Sequence, residues 1–349
     1  MTNPTKPQID VNQPRINFVQ EVFSHLKSTE RFYLCGESLV YIDRQDQTIK
    51  TLGRSDLEIA LSGEIDWVKQ GRQKDKLVSV HLPPHHSKLL YETTFRRPLH
   101  TISGFAHHPL VDENGQCSRI QSGYDAKTKV FSLFNECQYQ SLGWSTLSLD
   151  AAAQAAKFLS EDLFGDFPGQ TPADQSKILC AAMTAVLRPL LPTAPMFVVT
   201  AQGSGSGKSL LCDLLSTLAC GQVSPASAYP TSPEEADRQL ISILRYGPAI
   251  VNYDNVVGEL IETPPICSCL TQSTYAGRLL GSNQMLTVNT SSLFLASGNF
   301  LTVCGDLRRR SVVIRLSAQK RLDRSFRHLD LLAYARQKRP AQSPGDLTL

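Results

Sequence analysis

The sequence predicts an α/β protein, with a parallel sheet and helices on both of its faces in one domain and a smaller α+β domain before it. Short apolar runs separated by helical segments indicate the parallel sheet, because strands buried on both faces read as continuous apolar stretches. These runs are 196–200, 249–254, 293–296 and 311–316. Of the 349 residues, 41% are hydrophobic and 19% are charged, a composition typical of a packed globular core.

The region before residue 145 mixes short strands and helices. Apolar stretches at 32–34 and 39–42 flank Gly36, which predicts a hairpin, and 55–61 has the pattern of a capped helix. Residues 77–80 predict a strand, and the following Pro83 and Pro84 indicate a loop-rich stretch. We therefore expect an accessory α+β domain over residues 1–145, with a role in DNA or partner binding.

Helical periodicity begins after a boundary near Ser145, at 148–163 and again at 172–190. The segment Ser232-Pro233-Glu234-Glu235 is a capping box that opens a further helix, which Gly247-Pro248 ends. We expect a three-layer domain over 146–320, followed over 321–349 by a short helical remnant and a polar tail.

The most informative motif is the glycine-rich loop Q-G-S-G-S-G-K-S at 202–209. It follows the first apolar run, and leucines at helical spacing come after it, whereas a glycine-serine linker lacks both flanks. A loop between a strand and a helix N-terminus presents backbone N–H groups to a phosphate, and Lys208 can reach the β- and γ-phosphates. Gln202 departs from the usual motif, which has glycine there. The residues expected to bind the nucleotide are Gly203, Ser204, Gly205, Ser206, Gly207, Lys208, Ser209 and Leu210.

Asp254 ends the second apolar run and is the candidate for holding Mg²⁺, together with the Ser209 hydroxyl. The alternative is a turn aspartate, since Asp254-Asn255 also suits a turn. Asn255 stands where many ATPases have a glutamate that polarises the attacking water, and an amide cannot accept that proton. Asn255 can orient the water, or a base can come from elsewhere, with Glu259 and Glu262 nearby in sequence. The sequence therefore predicts nucleotide binding and leaves hydrolysis open.

Two further positions complete the candidate site. Asn299 ends the third apolar run, where its amide can touch the γ-phosphate or the attacking water; the alternative is a turn asparagine after Gly298. The triplet Arg308-Arg309-Arg310 can deliver a guanidinium, with Arg309 the first choice, to the nucleotide of a neighbouring subunit. The alternative is a simple basic edge.

Together these motifs resemble the AAA+ ATPase of mobile-element and prophage replication proteins. Those proteins are helicase-like, often described as primase or helicase, and related to superfamily 3 and MCM-type motors. The resemblance rests on GSGSGKS, IVNYDN, LFLASGN and GDLRRRSVVIRL, with FRHLDLLAYARQKR after them, and covers about 147–339. It implies a P-loop AAA+ fold with Lys208 and Ser209 in Walker A, Asp254 in Walker B, Asn299 as sensor 1, and Arg309 or Arg310 as arginine finger.

By the same resemblance, ATP and Mg²⁺ are the expected cofactors, and single-stranded or forked DNA is the expected partner of a hexameric ring. A primase or another replication protein is a further expected partner. Two departures matter: relatives usually continue into a helical lid, and their DNA-threading hairpin has a basic tip. Here the stretch 278–288 has Arg278 as its only cation. A nucleotide-switched loading factor and a degenerate nucleotide-binding remnant therefore stay open beside the helicase.

Charge and cysteine content add little to this choice. Net charge is +3, and residues 301–349 hold eleven basic and four acidic side chains, which favours a phosphate or nucleic-acid partner only slightly. The nine cysteines are scattered, as expected of free thiols in a reducing compartment. With no run of eighteen apolar residues and a polar N-terminus, we expect a cytoplasmic protein without a membrane span.

Overall fold

The computed structural model describes residues 6–44, 48–71, 76–93, 98–111, 117–119, 121–139, 148–279, 285–317 and 326–339. The chain forms two compact units, Met1–Ile102 (unit 1) and Ser103–Leu349 (unit 2).

Unit 1 combines two small sheets with three helices. Its strands are β1 Gln8–Asp10, β2 Phe32–Cys35, β3 Ser38–Asp43, β4 Thr48–Thr51, β5 Asp66–Gln70, β6 Leu77–Ser79 and β7 Thr101–Ile102, and its helices are α1 Arg15–Ser28, α2 Arg54–Glu64 and α3 Pro84–Glu92. One sheet has the order β4-β3-β2-β7 and the other β1-β5-β6. One apolar cluster includes buried side chains from both sheets and all three helices, and α1 contributes five of them.

Local signals placed several of these elements correctly. Strands β2 and β3 pair antiparallel around Gly36, whose φ of 57° is a conformation that glycine adopts without a steric penalty. The helix expected at 55–61 is α2, and the strand expected at 77–80 is β6. The expectation of a loop at Pro83-Pro84 is wrong, because α3 begins at Pro84. Proline fits the first helical position, where its missing N–H costs no hydrogen bond.

Unit 2 opens with five short strands, which are β8 Gly104–Ala106, β9 Leu110–Val111, β10 Cys117–Arg119, β11 Gly123–Tyr124 and β12 Val130–Ser132. The apolar cluster of β8, β9 and β12 packs against Leu190. His108 Nε2 also lies 2.9 Å from the carbonyl oxygen of Val186. These contacts join the short strands to the residues around 186–190, so the compact division follows Ile102. The boundary expected near Ser145 lies outside the described residues and stays a prediction.

The centre of unit 2 is a five-stranded, fully parallel sheet, as the apolar runs predict. Its strands are β13 Met196–Ala201, β14 Ala226–Ser227, β15 Ile250–Tyr253, β19 Leu293–Asn299 and β21 Ser311–Leu316. Their order across the sheet is β14-β15-β19-β13-β21. Strand β13 therefore lies between β19 and β21, and β15 is separated from it by one strand.

Helices cover both faces of this sheet. The helices of unit 2 are α4 Leu149–Lys157, α5 Pro172–Leu187, α6 Lys208–Cys220, α7 Pro233–Leu244, α8 Pro264–Cys269 and α9 Leu331–Lys338, and a π-helical turn follows α4 at Phe158–Leu163. Along β13, Phe197 and Val199 belong to the core formed with α5 and α6, whereas Met196 and Val198 belong to the core formed with α7 and α8. This alternation follows from the two-residue period of a strand, and it gives three layers.

Two small additions lie beside the central sheet. The strand β16 Glu259–Leu260 pairs in parallel with β20 Thr302–Val303, and β17 Thr274–Arg278 forms an antiparallel hairpin with β18 Met285–Asn289. The hairpin packs on α7, where the Tyr275 hydroxyl donates to Asp237 at 2.5 Å. It corresponds to the stretch expected at 278–288, of which 280–284 lie outside the described residues.

Across the described ranges, every helix is too short or too polar to cross a membrane.

Candidate functional site

The glycine-rich loop connects the end of β13 to the start of α6, the setting that a phosphate-binding loop requires. Gly205 and Gly207 have φ angles of 76° and 90°, in the left-handed region that glycine occupies without penalty. A Cβ atom added at Gly207 would lie 3.4 Å from the ring of Phe167, and one added at Gly203 would have no neighbour within 4 Å. The backbone therefore stays open on one side of the loop and rests on Phe167 on the other.

The start of α6 leaves backbone donors without protein partners. In the part of the chain that the structure describes, no protein group accepts a hydrogen bond from the backbone N–H of Gly205, Gly207, Lys208 or Ser209. The first N–H groups of any helix lack acceptors within the helix, and they carry its partial positive charge. These donors follow one another along the loop and first turn, so the segment is suited to an anion with several oxygens.

Lys208 lies over the same loop. Its ammonium donates to the Gly203 carbonyl oxygen at 2.9 Å and to the Ser206 hydroxyl oxygen at 2.9 Å. The buried Ser206 hydroxyl also donates to the Gly203 carbonyl oxygen, at 3.2 Å. Burial lowers the pKa of Lys208, and the Asp254 carboxylate opposes that shift. The loop residues and the lysine predicted from the sequence therefore lie together.

Asp254 follows β15 directly and meets α6 across the edge of the sheet. Its Oδ1 atom accepts a hydrogen bond from the Ser209 hydroxyl at 3.0 Å and another from the Ser297 hydroxyl of β19. A hydroxyl and a carboxylate are oxygen ligands of the kind that Mg²⁺ uses beside phosphates. Within the described residues no cluster of three or more His, Cys, Asp or Glu side chains forms a metal site of its own. One hydroxyl and one carboxylate are a donor set that fits an ion whose remaining coordination comes from a bound phosphate and water.

Ser297 is a member of the site that the sequence analysis missed. It lies in β19, the strand between β13 and β15, and its hydroxyl donates to the same Oδ1 atom of Asp254 as the Ser209 hydroxyl. A serine inside an apolar strand gives only a weak signal, because such side chains also bond within the sheet.

Asn255 has left-handed backbone geometry, with φ of 55°, and is exposed. It lines a cavity of about 740 Å³ that Asp254 and Glu259 also line. Glu262 lines this cavity too, but its carboxylate accepts a hydrogen bond from the backbone N–H of Asp306. Of the two glutamates considered from the sequence, Glu262 is thus committed to a structural contact.

Asn299 lies at the same edge of the sheet as the loop. It is the last residue of β19 and pairs in register with Ala201, the last residue of β13. The next residue, Phe300, donates its N–H to the Ala201 carbonyl oxygen at 3.0 Å. The prediction that Asn299 comes from the strand adjacent to the loop strand agrees with this pairing, and its exposed side chain stands beside the start of the loop.

The arginine triplet forms the end of a short 3-10 helix, Gly305–Arg310, just before β21. Arg309 and Arg310 both pair with Asp306, but the Arg309 side chain is 72% exposed and that of Arg310 only 20%. Arg308 instead donates through Nε to the Val303 carbonyl oxygen at 2.8 Å. Among the described residues, no hydrogen bond or ion pair connects the triplet with the loop or with Asp254 of the same chain.

No protein-family model and no curated protein matches the sequence. Among solved structures, the chain is similar to an apo structure of the NrS-1 C-terminal region, with a TM-score of 0.48 and 12% identity over 94% of this chain and 68% of that one. A second apo structure of that region is similar with a TM-score of 0.47 and 13% identity, again over 94% of this chain and 68% of that one. For a JCV helicase with a bound acetamide compound, the TM-score is 0.33 and the identity 17%, over 59% of this chain and 55% of that one.

Proposed function

We propose that the chain binds ATP with Mg²⁺ and hydrolyses it, as an AAA+ ATPase of the helicase or translocase type that acts on DNA in the replication of a mobile genetic element or prophage. The observation that carries the proposal is the 3.0 Å hydrogen bond between Ser209 and Asp254. This bond joins a hydroxyl in the first turn of α6 to a carboxylate that follows β15. In the sheet, β15 is separated by β19 from β13, the strand that leads into the glycine-rich loop. An aspartate that only caps its own turn would bond to neighbouring backbone groups, and a contact with the first turn of α6 would not be expected of it.

In this proposal the backbone N–H groups of Gly205, Gly207, Lys208 and Ser209 bind the phosphate oxygens, and the Lys208 ammonium leaves the Gly203 carbonyl to pair with them. A primary ammonium exchanges a neutral acceptor for an anionic one with a gain in electrostatic energy. Ser209 and Asp254 would hold Mg²⁺, which when bound neutralises charge on the phosphates and orients them. Asn299 stands ready to hydrogen-bond the terminal phosphate or the attacking water.

Removal of the water proton needs a carboxylate, which Asn255 cannot supply. Glu259 is the remaining nearby candidate, since it lines the same cavity as Asp254 and Asn255 and, unlike Glu262, does not hold Asp306. Asn255 then orients the water with its amide. This division of roles lets the site hydrolyse ATP without a glutamate next to Asp254.

We also propose a homo-oligomeric, hexameric ring in which one subunit contributes an arginine to the nucleotide of the next. Arg309 suits this role because its side chain is 72% exposed, and Asp306, which pairs with its Nε, orients a guanidinium that can exchange this partner for the phosphoryl group. Charge on the transferred phosphoryl group is then neutralised in trans. Arg310 is the less exposed member of the pair and supports the same short helix.

The test is ATP hydrolysis by the full chain, alone and with single-stranded or forked DNA. We expect Lys208→Ala to abolish both Mg·ATP binding and hydrolysis, and Arg309→Ala to retain binding but lose hydrolysis. Lys157→Ala, at an exposed lysine of α4, is the matched control and should behave as the wild type. Normal hydrolysis in Lys208→Ala would refute the nucleotide site, and normal hydrolysis in Arg309→Ala would refute the trans-acting arginine.

Asn255 favours one other function specifically, a nucleotide-switched loading factor that assembles with ATP and does not unwind DNA. ATP-dependent oligomerisation without DNA stimulation of hydrolysis would support it over the helicase. If the wild type fails to bind Mg·ATP, both proposals fall and a degenerate remnant is left.

A further inference from the structure

A second cavity, of about 530 Å³, lies at the edge of the central sheet where β13 and β21 end. Two arginines line it, Arg308 from the 3-10 helix and Arg315 from β21, and no acidic side chain does so. Within the described ranges neither arginine forms an ion pair, whereas Arg309 and Arg310 share Asp306. The triplet is therefore divided, with two members neutralised and the third directed to this cavity, which we call the arginine groove.

An exposed aromatic ring stands at the same groove. Phe300 lines the groove and is 68% exposed. Its φ of 51° is costly for a residue with a Cβ atom, yet it is held there by its own hydrogen bond to Ala201 and by that of the Leu301 N–H to the Thr200 hydroxyl oxygen at 2.9 Å. A strained backbone that presents an apolar ring to solvent gains nothing in packing, which indicates a binding role.

The polar lining completes the chemistry. Gln170 and Gln202 contribute amides and Thr302 a hydroxyl, groups that hydrogen-bond sugars and base edges. Guanidinium groups beside an exposed aromatic ring are the combination with which proteins hold single-stranded nucleic acid, through phosphate contacts and base stacking. The volume lies within the roughly 300–1,000 Å³ of ordinary ligand sites.

We infer that the arginine groove binds single-stranded nucleic acid, with Arg308 and Arg315 on the phosphodiester backbone and Phe300 stacked on a base. Gln202 is the first residue of the glycine-rich loop, and Phe300 directly follows Asn299. A strand in the groove thus lies next to the start of the glycine-rich loop and to Asn299. In this inference Gln202, which stands where the usual loop motif has glycine, contacts the bound nucleic acid through its side-chain amide. The inference rests on the proposed function only in taking nucleic acid as the partner, since binding in the groove needs no hydrolysis.

The test measures the affinity of the full chain for a fluorescent oligo-dT by anisotropy, without nucleotide and over a range of salt. We expect Arg315→Ala to weaken binding about tenfold and to reduce the slope of log K against log salt by about 1. Phe300→Gly relieves the strained φ and removes the ring, so it should weaken binding about 5- to 100-fold while the protein stays at least as stable. Arg336→Ala, an exposed arginine of α9, is the matched control and should leave binding unchanged.

Three outcomes would overturn the inference. Wild-type affinity in both Arg315→Ala and Phe300→Gly would exclude the groove as the binding site. Equal affinity for double-stranded DNA would exclude stacking on Phe300. A loss of ATP-dependent oligomerisation in Arg315→Ala, with unchanged oligo-dT binding, would assign the groove to a triphosphate of a neighbouring copy. None of these depends on ATP hydrolysis, and the Lys208→Ala assay tests the proposed function separately.

Discussion

Gly298→Ala tests how the carboxylate of the candidate site is held in place. A Cβ atom at Gly298 would lie 2.0 Å from the carbonyl oxygen of Val256 and 3.0 Å from its carbonyl carbon, whereas ordinary contacts begin at 3.4 Å. Both neighbours are backbone atoms, so no side-chain rotation can relieve the overlap. The end of β19 and the segment after Asp254 must move apart by about 1 Å or more.

The cost has two parts. Overpacking of this kind costs about 1–3 kcal/mol, and separating the two segments weakens the 2.8 Å hydrogen bond from the Val256 N–H to the Ser297 carbonyl oxygen, worth about 1 kcal/mol. We expect the free energy of unfolding to fall by about 2–4 kcal/mol, and Tm to fall by roughly 5–15 °C. Because Ser297 also bonds Asp254, the carboxylate moves with the strand, and ATP hydrolysis should fall by about 100-fold.

Urea denaturation followed by circular dichroism measures the first effect, and an ATPase assay at a temperature where the variant is folded measures the second. Gly63→Ala is the control, since a Cβ atom there meets nothing within 4 Å and Gly63 lies in α2 of the other unit. It should leave hydrolysis unchanged and raise stability slightly, as expected for glycine in a helix. Unfolding and hydrolysis of Gly298→Ala equal to those of the wild type would refute the close approach at Val256.

Three further predictions concern buried polar groups. Burial raises the pKa of Asp174, but hydrogen bonds, first among them the one from Lys177, outweigh this and hold the pKa below its ordinary 3.8. The stabilisation is present above that value and is lost as pH falls through the folded-state pKa, so urea midpoints of Asp174→Asn should lie below wild type at pH 7 and converge with it toward pH 3. Arg188, 2% exposed, donates to three backbone carbonyls, so Arg188→Met should lower the free energy of unfolding by about 2–4 kcal/mol in urea titrations. Ser297→Ala removes one hydroxyl from Asp254 and should weaken Mg·ATP binding about 3- to 10-fold by calorimetry.

Each of these has its own contradicting result. A stability difference for Asp174→Asn that stays constant between pH 7 and pH 3 would exclude the carboxylate charge as its cause. Wild-type stability of Arg188→Lys would mean that a single ammonium can replace the three guanidinium donors. It would contradict the expectation that three separate carbonyl oxygens need the guanidinium. For Ser297, an unchanged Mg·ATP affinity together with wild-type stability would show that Ser209 alone orients Asp254.

Local sequence predicted those parts of the protein in which neighbouring residues carry the information. The strand, loop and helix around Lys208 lie within one continuous segment, and the capping serine at 232 accepts from the Glu235 N–H as its pattern predicts. Asp254 and Asn299 each follow the end of an apolar run, and they lie at one edge of the sheet because neighbouring parallel strands end at the same edge. Pro84 misled the prediction, since the same proline suits a loop and the first turn of a helix.

The sequence by itself determined the layers of unit 2 and the strand, glycine-rich loop and helix around Lys208, and it placed Asp254 at the end of an apolar run, because periodicity and short motifs are properties of neighbours along the chain. Only the tertiary structure decided that Ser297 joins Asp254 and that Arg308 lies with Phe300 at a separate groove. These contacts depend on the order in which strands enter the sheet. Three adjacent arginines look equivalent as a sequence, and they become different because the short 3-10 helix directs Arg309 and Arg310 to Asp306 and Arg308 to the Val303 carbonyl oxygen.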